Sequence, residues 1–102
     1  MSKNLYAMSI YSNDDIQLLS YLPLNRKEFY KRVDEIMKEY DRKTQEDNST
    51  IAHYTSTMQN DYYKIEKHHI MFDLVDIYFY KATTKNGYEF DKGITVYNLF
   101  NH

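Results

Sequence analysis

LNRKEFYKRVDEIMKEYDRK, residues 24–43, sets the architecture, because its secondary structure is stated by several independent signals. Asn25 is a helix-capping residue, and Glu28 stands three positions on to complete a capping box. Leu24 and Phe29 flank that box as a hydrophobic staple. Phe29, Val33, Ile36, Met37 and Tyr40 fall at helical spacing on one side, while Lys27, Lys31, Asp34, Lys38 and Asp41 lie on the other. A helix of this length is marginal alone in water and must bury its stripe. The remaining chain reads mainly as strands, so the expected partner is a sheet.

On the N-terminal side, Leu5 to Tyr11 alternates and predicts a first strand, with Tyr6, Met8 and Ile10 on one side and Leu5, Ala7 and Ser9 on the other. Ser12 to Asp15 offers several capping residues before IQLLSYL. The expectation there is a short helix or turn from about Asp14 to Leu22, ended by Pro23. After the main helix, TQEDNST is polar and reads as a loop. Ile51 to Met58 keeps a helical spacing of Ile51, Tyr54 and Met58, yet its Thr and Tyr content favours a strand. The strand is the preferred reading, turned by Gln59-Asn60-Asp61 into YYKIEKH.

Ile70 to Thr84, IMFDLVDIYFYKATT, carries the densest β-branched and aromatic content and predicts a central strand with both faces covered. Asn86-Gly87 supplies the two positive-φ residues of a type I′ hairpin turn. The chain is then expected to return antiparallel from Tyr88 to Asp91 and to end in a strand at ITVYNLF, residues 94–100. The fold class implied is α+β: a single domain over residues 1–102, with an antiparallel sheet of four to five strands and one amphipathic helix packed on a face.

Composition narrows the functional classes. A chain of 102 residues with net charge -2 has neither the basic footprint of a duplex-binding domain nor the field of a nucleic-acid mimic. No segment departs from charge balance by more than two. Cysteine is absent, which removes disulfide frameworks and thiolate metal sites and fits a cytoplasmic setting. No apolar run has the length of a signal peptide or a membrane span. Only two glycines are present, so no glycine-rich phosphate cradle can be built, and no nucleophile elbow occurs.

Several residues invite chemistry, each with a plainer reading beside it. His53-Tyr54-Thr55 matches one H-x-T element of two-histidine phosphoesterases, but His68, His69 and His102 are not followed at the second position by Ser or Thr. A histidine at a strand boundary is the plainer reading. His68 and His69 with Asp73 and Asp76 are metal-compatible donors, yet adjacent strand residues point to opposite faces. No metal and no cofactor are expected. Asp73 and Asp76 interrupt the most apolar strand, where a carboxylate must be hydrogen-bonded or face solvent. The bases Arg26, Lys27, Lys31 and Arg32 are interleaved with Glu28, Asp34 and Glu35, which reads as a self-paired solvated face.

Tyrosine is the one excess, with 12 copies. A domain this small cannot bury 12 rings and satisfy each hydroxyl. Several are therefore expected to form a contact surface for a protein partner, either a host protein or a second copy of the chain. Tyr62, Tyr78, Tyr80, Tyr88 and Tyr97 are the candidates. In size and in its Lys, Asn, Ile and Tyr content, the whole chain resembles small orphan proteins of phages and mobile elements in low-GC Gram-positive bacteria. That group includes anti-CRISPR and other anti-defence inhibitors. The resemblance implies a non-enzymatic inhibitor. The alternatives are a small hydrolase or nucleic-acid-processing enzyme using His53 or the His68/His69 region, and a structural or homo-oligomeric phage component.

Overall fold

The computed structural model describes residues 4–15, 17–46 and 51–90. Its elements run β1 (Asn4–Ser12), β2 (Leu18–Leu24), α1 (Arg26–Gln45), β3 (Ala52–Gln59), β4 (Tyr63–Met71) and β5 (Val75–Thr84). The strands form one sheet in the order β2-β1-β5-β4-β3, every neighbouring pair antiparallel. This is the α+β architecture the helix demanded, with β5 central.

The helix begins where its sequence says. Asn25 has extended φ and ψ, and its Oδ1 accepts the Glu28 N–H at 2.8 Å. The helix runs two residues past Lys43. Its last turn is bridged by Arg42, which reaches Glu39 and Glu46 at 2.6 Å each, while Asp34 and Lys38 pair at 3.0 Å. Phe29 is the buried anchor, its ring 4.8 Å from Tyr6 and edge-on to Phe79 at 5.9 Å. Val33, Ile36, Met37 and Tyr40 pack partly buried beside it, over Met8, Ile70, Ile77 and Phe79 of the sheet.

Three expectations are corrected, the third at Tyr88 below. Of the short helix or turn expected from about Asp14 to Leu22, a turn is present at residues 13–15, and residues 18–24 form a strand. The capping residues instead make the turn between β1 and β2, where Ser12 N–H donates to the Gln17 carbonyl at 2.8 Å and Asn13 N–H to the Leu74 carbonyl at 3.0 Å. Pairing along β1 outweighs the local capping signal, and Pro23 is tolerated because β2 is an edge strand among the described residues. Secondly, the expected strand Ile70 to Thr84 is divided. Phe72 N–H donates to the Val75 carbonyl at 2.9 Å, and the chain reverses at Asp73-Leu74 from β4 into β5. Neither turn residue has positive φ, so no Gly or Asn marks the reversal.

The ambiguous segment Ile51 to Met58 is the strand β3, and its hairpin with β4 keeps an uninterrupted register from Ala52↔Met71 to Gln59↔Lys64. Asn86 and Gly87 have φ of 52° and 75°, as a type I′ turn requires, and Tyr88 N–H closes it on the Lys85 carbonyl at 2.9 Å. The antiparallel return expected from Tyr88 is not made, because β5 is already paired on both sides by β1 and β4, and Tyr88 to Phe90 follow without joining the ladder. Asp91, the strand expected at residues 94–100 and Tyr97 lie outside the described residues.

Candidate interaction surface

Register decides which rings share a face. In β1, Ala7, Ser9 and Tyr11 point away from the helix; through Ala7↔Tyr80 and Ser9↔Tyr78 the same face holds Tyr78 and Tyr80. Pairing then adds Lys67 and His69 from β4 and Tyr54 from β3. Across the strands these side chains stack. His69 lies 4.3 Å from Tyr78 with planes 10° apart, Tyr54 follows at 5.9 Å from His69, and Tyr11 meets Tyr78 edge-on at 5.5 Å. Lys67 Nζ sits 5.5 Å from the centre of the Tyr78 ring, a cation–π contact.

A second aromatic group closes the other end of the sheet. Tyr62 and Tyr88 stand 5.3 Å apart, Tyr63 and Phe90 5.8 Å, and Tyr88 and Phe90 5.7 Å. Two turns hold these rings. Asn60 Oδ1 accepts the N–H groups of Tyr62 and Tyr63 at 2.8 and 2.9 Å. Lys85 N–H donates to the Tyr62 carbonyl at 2.9 Å, its Nζ to Gln59 Oε1 at 2.7 Å, and Asn86 Nδ2 to the Asp61 carbonyl at 3.0 Å. The two turns are thereby stitched together, which fixes the backbone that carries the rings.

The candidate tyrosines divide. Tyr62 is 59% exposed, and Tyr78 and Tyr88 are half-buried. Tyr80 is only 5% exposed. Its hydroxyl lies 3.1 Å from Ser9 Oγ, and burial pushes its pKa up to about 12 against the opposing effect of that hydrogen bond. Tyr80 belongs to a small second core with Ala7, Ile65 and Ala82. Burial, then the Asp76 carboxylate, also raise the Tyr78 phenol. Sequence reasoning missed Tyr54 and Met58, 57% and 43% exposed on β3; their even spacing, which puts both on one face of a strand otherwise made of Ser and Thr there, was the available signal.

The histidines separate by parity. His53 and His68 lie on the helix side, His53 Nε2 3.3 Å from His68 Nδ1, with Tyr40 edge-on to His53 at 5.8 Å. Burial, reinforced by the neighbouring His68, holds His53 below the ordinary histidine range. One ring nitrogen can donate to the other in this geometry, the roles being set by the tautomers. Thr55 lies on the same face, and no second H-x-T element faces it among the described residues. On the opposite side His69 Nε2 is 3.4 Å from Asp76 Oδ1, two buried atoms close enough for an ion pair but without hydrogen-bond alignment.

Asp73 is exposed in the β4–β5 turn, so the two aspartates do not share a strand. It borders a shallow groove of about 300 Å³ with Glu39, Lys43, Phe72, Leu74 and Val75. Among the described residues no three His, Asp or Glu side chains gather as a metal site, and no helix is long and apolar enough to cross a membrane.

Over the described residues the fold and surface define a small α+β domain, a five-stranded antiparallel sheet with one helix on one face and an aromatic array on the other. No protein-family model, curated protein or solved structure matches the chain.

Proposed function

We propose that this chain is a non-enzymatic binding protein that acts by occupying the surface of a host protein, in the manner of the anti-defence inhibitors of phages and mobile elements. The observation that supports this reading is the pre-set aromatic surface: Tyr62 and Tyr88 are held together on two cross-bonded turns, with Tyr63 and Phe90 beside them. Rigid rings contribute contact area at little entropic cost, which is how such surfaces bind. Tyr78 extends the surface on the sheet.

The test is capture of a host protein by the native chain and by Tyr62→Ser/Tyr88→Ser. The double variant is expected to keep its melting temperature and lose the captured protein. Undiminished capture would sink the reading, and so would unfolding of the double variant, since the rings would then belong to the core.

A second reading, a small hydrolase or nucleic-acid-processing enzyme around His53, rests on the 3.3 Å approach of His68. It requires that His53→Ala abolish an activity while leaving host-protein capture intact.

A further inference from the structure

The two edges of the sheet are built differently. The β2 edge, LLSYLPL, carries Pro23, which has no N–H to offer, and its register with β1 slips between Ile10 and Tyr11. Both devices discourage a further strand. The β3 edge, AHYTSTMQ, has neither. Its pairing with β4 is unbroken over eight residues, and Tyr54 to Gln59 are all exposed. None of those six residues is charged, prolyl or glycyl, which is the composition that pairs with another strand most readily. Among the described residues β3 has a neighbour on one side only.

The phase of its open hydrogen-bonding groups is set by the hairpin. Asn60 N–H donates to the Tyr63 carbonyl. In an antiparallel ladder the direction alternates, so Met58, Ser56 and Tyr54 also point their backbone groups at β4. His53, Thr55, Thr57 and Gln59 then point theirs outward. We infer that β3 is a dimerisation edge, pairing antiparallel with β3 of a second copy about a two-fold axis at Ser56.

In that register Thr55 stands opposite Thr57 of the other copy, and His53 opposite Gln59. These are the residues with outward backbone groups, and they close about eight main-chain hydrogen bonds. Tyr54 stands opposite Met58 of the other copy, and Ser56 opposite itself, in the closely spaced pairs where side chains touch most. The two largest exposed apolar groups of the strand thus cover each other twice, as thioether against ring. No like charges meet. A self-complementary edge of this kind is what an isologous contact needs, and an unrelated extended peptide would not have to supply Met and Tyr at these offsets. The result is a continuous sheet with both helices on one side and both aromatic faces on the other.

The native chain should sediment as a dimer, at twice the 12.4 kDa of one copy. Thr57→Pro removes an outward N–H that no other described residue of the monomer uses, and should weaken dimerisation by about tenfold or more while circular dichroism stays native. The chain has no cysteine, so Ser56→Cys, which faces itself across the axis, should cross-link on mild oxidation. Thr55→Cys, about 7–8 Å from its own copy, should not. A folded monomer at millimolar concentration overturns the proposal and leaves the edge to a foreign strand. A dimer that cross-links through Thr55→Cys but not Ser56→Cys also overturns it. Tyr62→Ser/Tyr88→Ser should leave the dimer intact, which separates this test from that of host-protein binding.

Discussion

Phe29→Ala should be the most damaging single change in the helix. The side chain is 4% exposed and is the only fully buried residue of α1, so its removal loses the transfer energy of a whole ring and leaves a cavity between helix and sheet. Such changes cost about 3–5 kcal/mol. The ring also meets Tyr6, Tyr30 and Phe79 at 4.8, 5.2 and 5.9 Å, and each favourable aromatic pair adds about 0.5–1.5 kcal/mol beyond its area. Domains of this size are stable by about 5–15 kcal/mol, so the variant should sit near the edge of folding. Its Tm should fall by on the order of 20 °C. Phe29→Leu keeps most of the volume but none of the aromatic edges and should cost about 1.5 kcal/mol. Urea denaturation followed by circular dichroism measures both. A loss below about 1 kcal/mol for Phe29→Ala would mean that the helix is not anchored here, and the two-layer account would fail.

Asn25→Ala should cost about 1 kcal/mol in the same titration by removing the acceptor of the Glu28 N–H; an unchanged midpoint would show that the cap contributes nothing. Ile36→Asp places a charge on a half-buried stripe and should lower the Tm by less than Phe29→Ala, an order that a pair of melts can reverse. His53 is held below its unfolded pKa, so between that value and its lower folded one the unfolded chain binds more protons, and stability should fall as pH drops through about 6.5. The loss between pH 7.5 and 5.5 should be smaller in His53→Asn than in the native chain; an equal loss would assign the pH dependence to other groups. A chelator should leave the melting temperature unchanged, and a drop would reveal an ion bound to the folded state.

The helix was legible because Asn25, Glu28 and the Phe29 stripe agree at three levels, and tertiary contacts had nothing to override. The Asn86-Gly87 turn was legible for a related reason: positive φ at two successive residues needs particular side chains, and those side chains are visible. Asp73-Leu74 reverses the chain at ordinary φ, so its one compositional mark was Asp73, a turn-favouring residue that read as an interruption of the strand rather than as its end. That one missed turn also moved Asp73 off the sheet. The β2 strand was hidden differently. Its capping residues are real, but they serve a turn, and the conformation of residues 18–24 is determined by pairing with β1, which no local pattern encodes. Tyr80 illustrates the limit for the site. Its ring looked equivalent to that of Tyr88, and burial beside Ser9 depends on which strand lies opposite.

The tyrosine excess makes physical sense once the sheet is seen to have one helix and two faces. Beneath the helix, Met8, Ile70, Ile77 and Phe79 serve as core, where a hydroxyl would be a cost. The opposite face has Ala7, Ile65 and Ala82 fully buried at its centre and partly exposed rings around them. Leucine or isoleucine in those outer positions would leave an apolar patch, and lysine would not bury the centre. Tyrosine does both, covering carbon with its ring while its hydroxyl reaches a partner such as Ser9 or solvent. A face made this way covers its own apolar centre and still leaves ring carbon exposed at its rim. Tyr78 shows the balance: it is stacked on His69 and met by Lys67, yet only half-buried, so the contacts that fix it in place also leave part of its ring available.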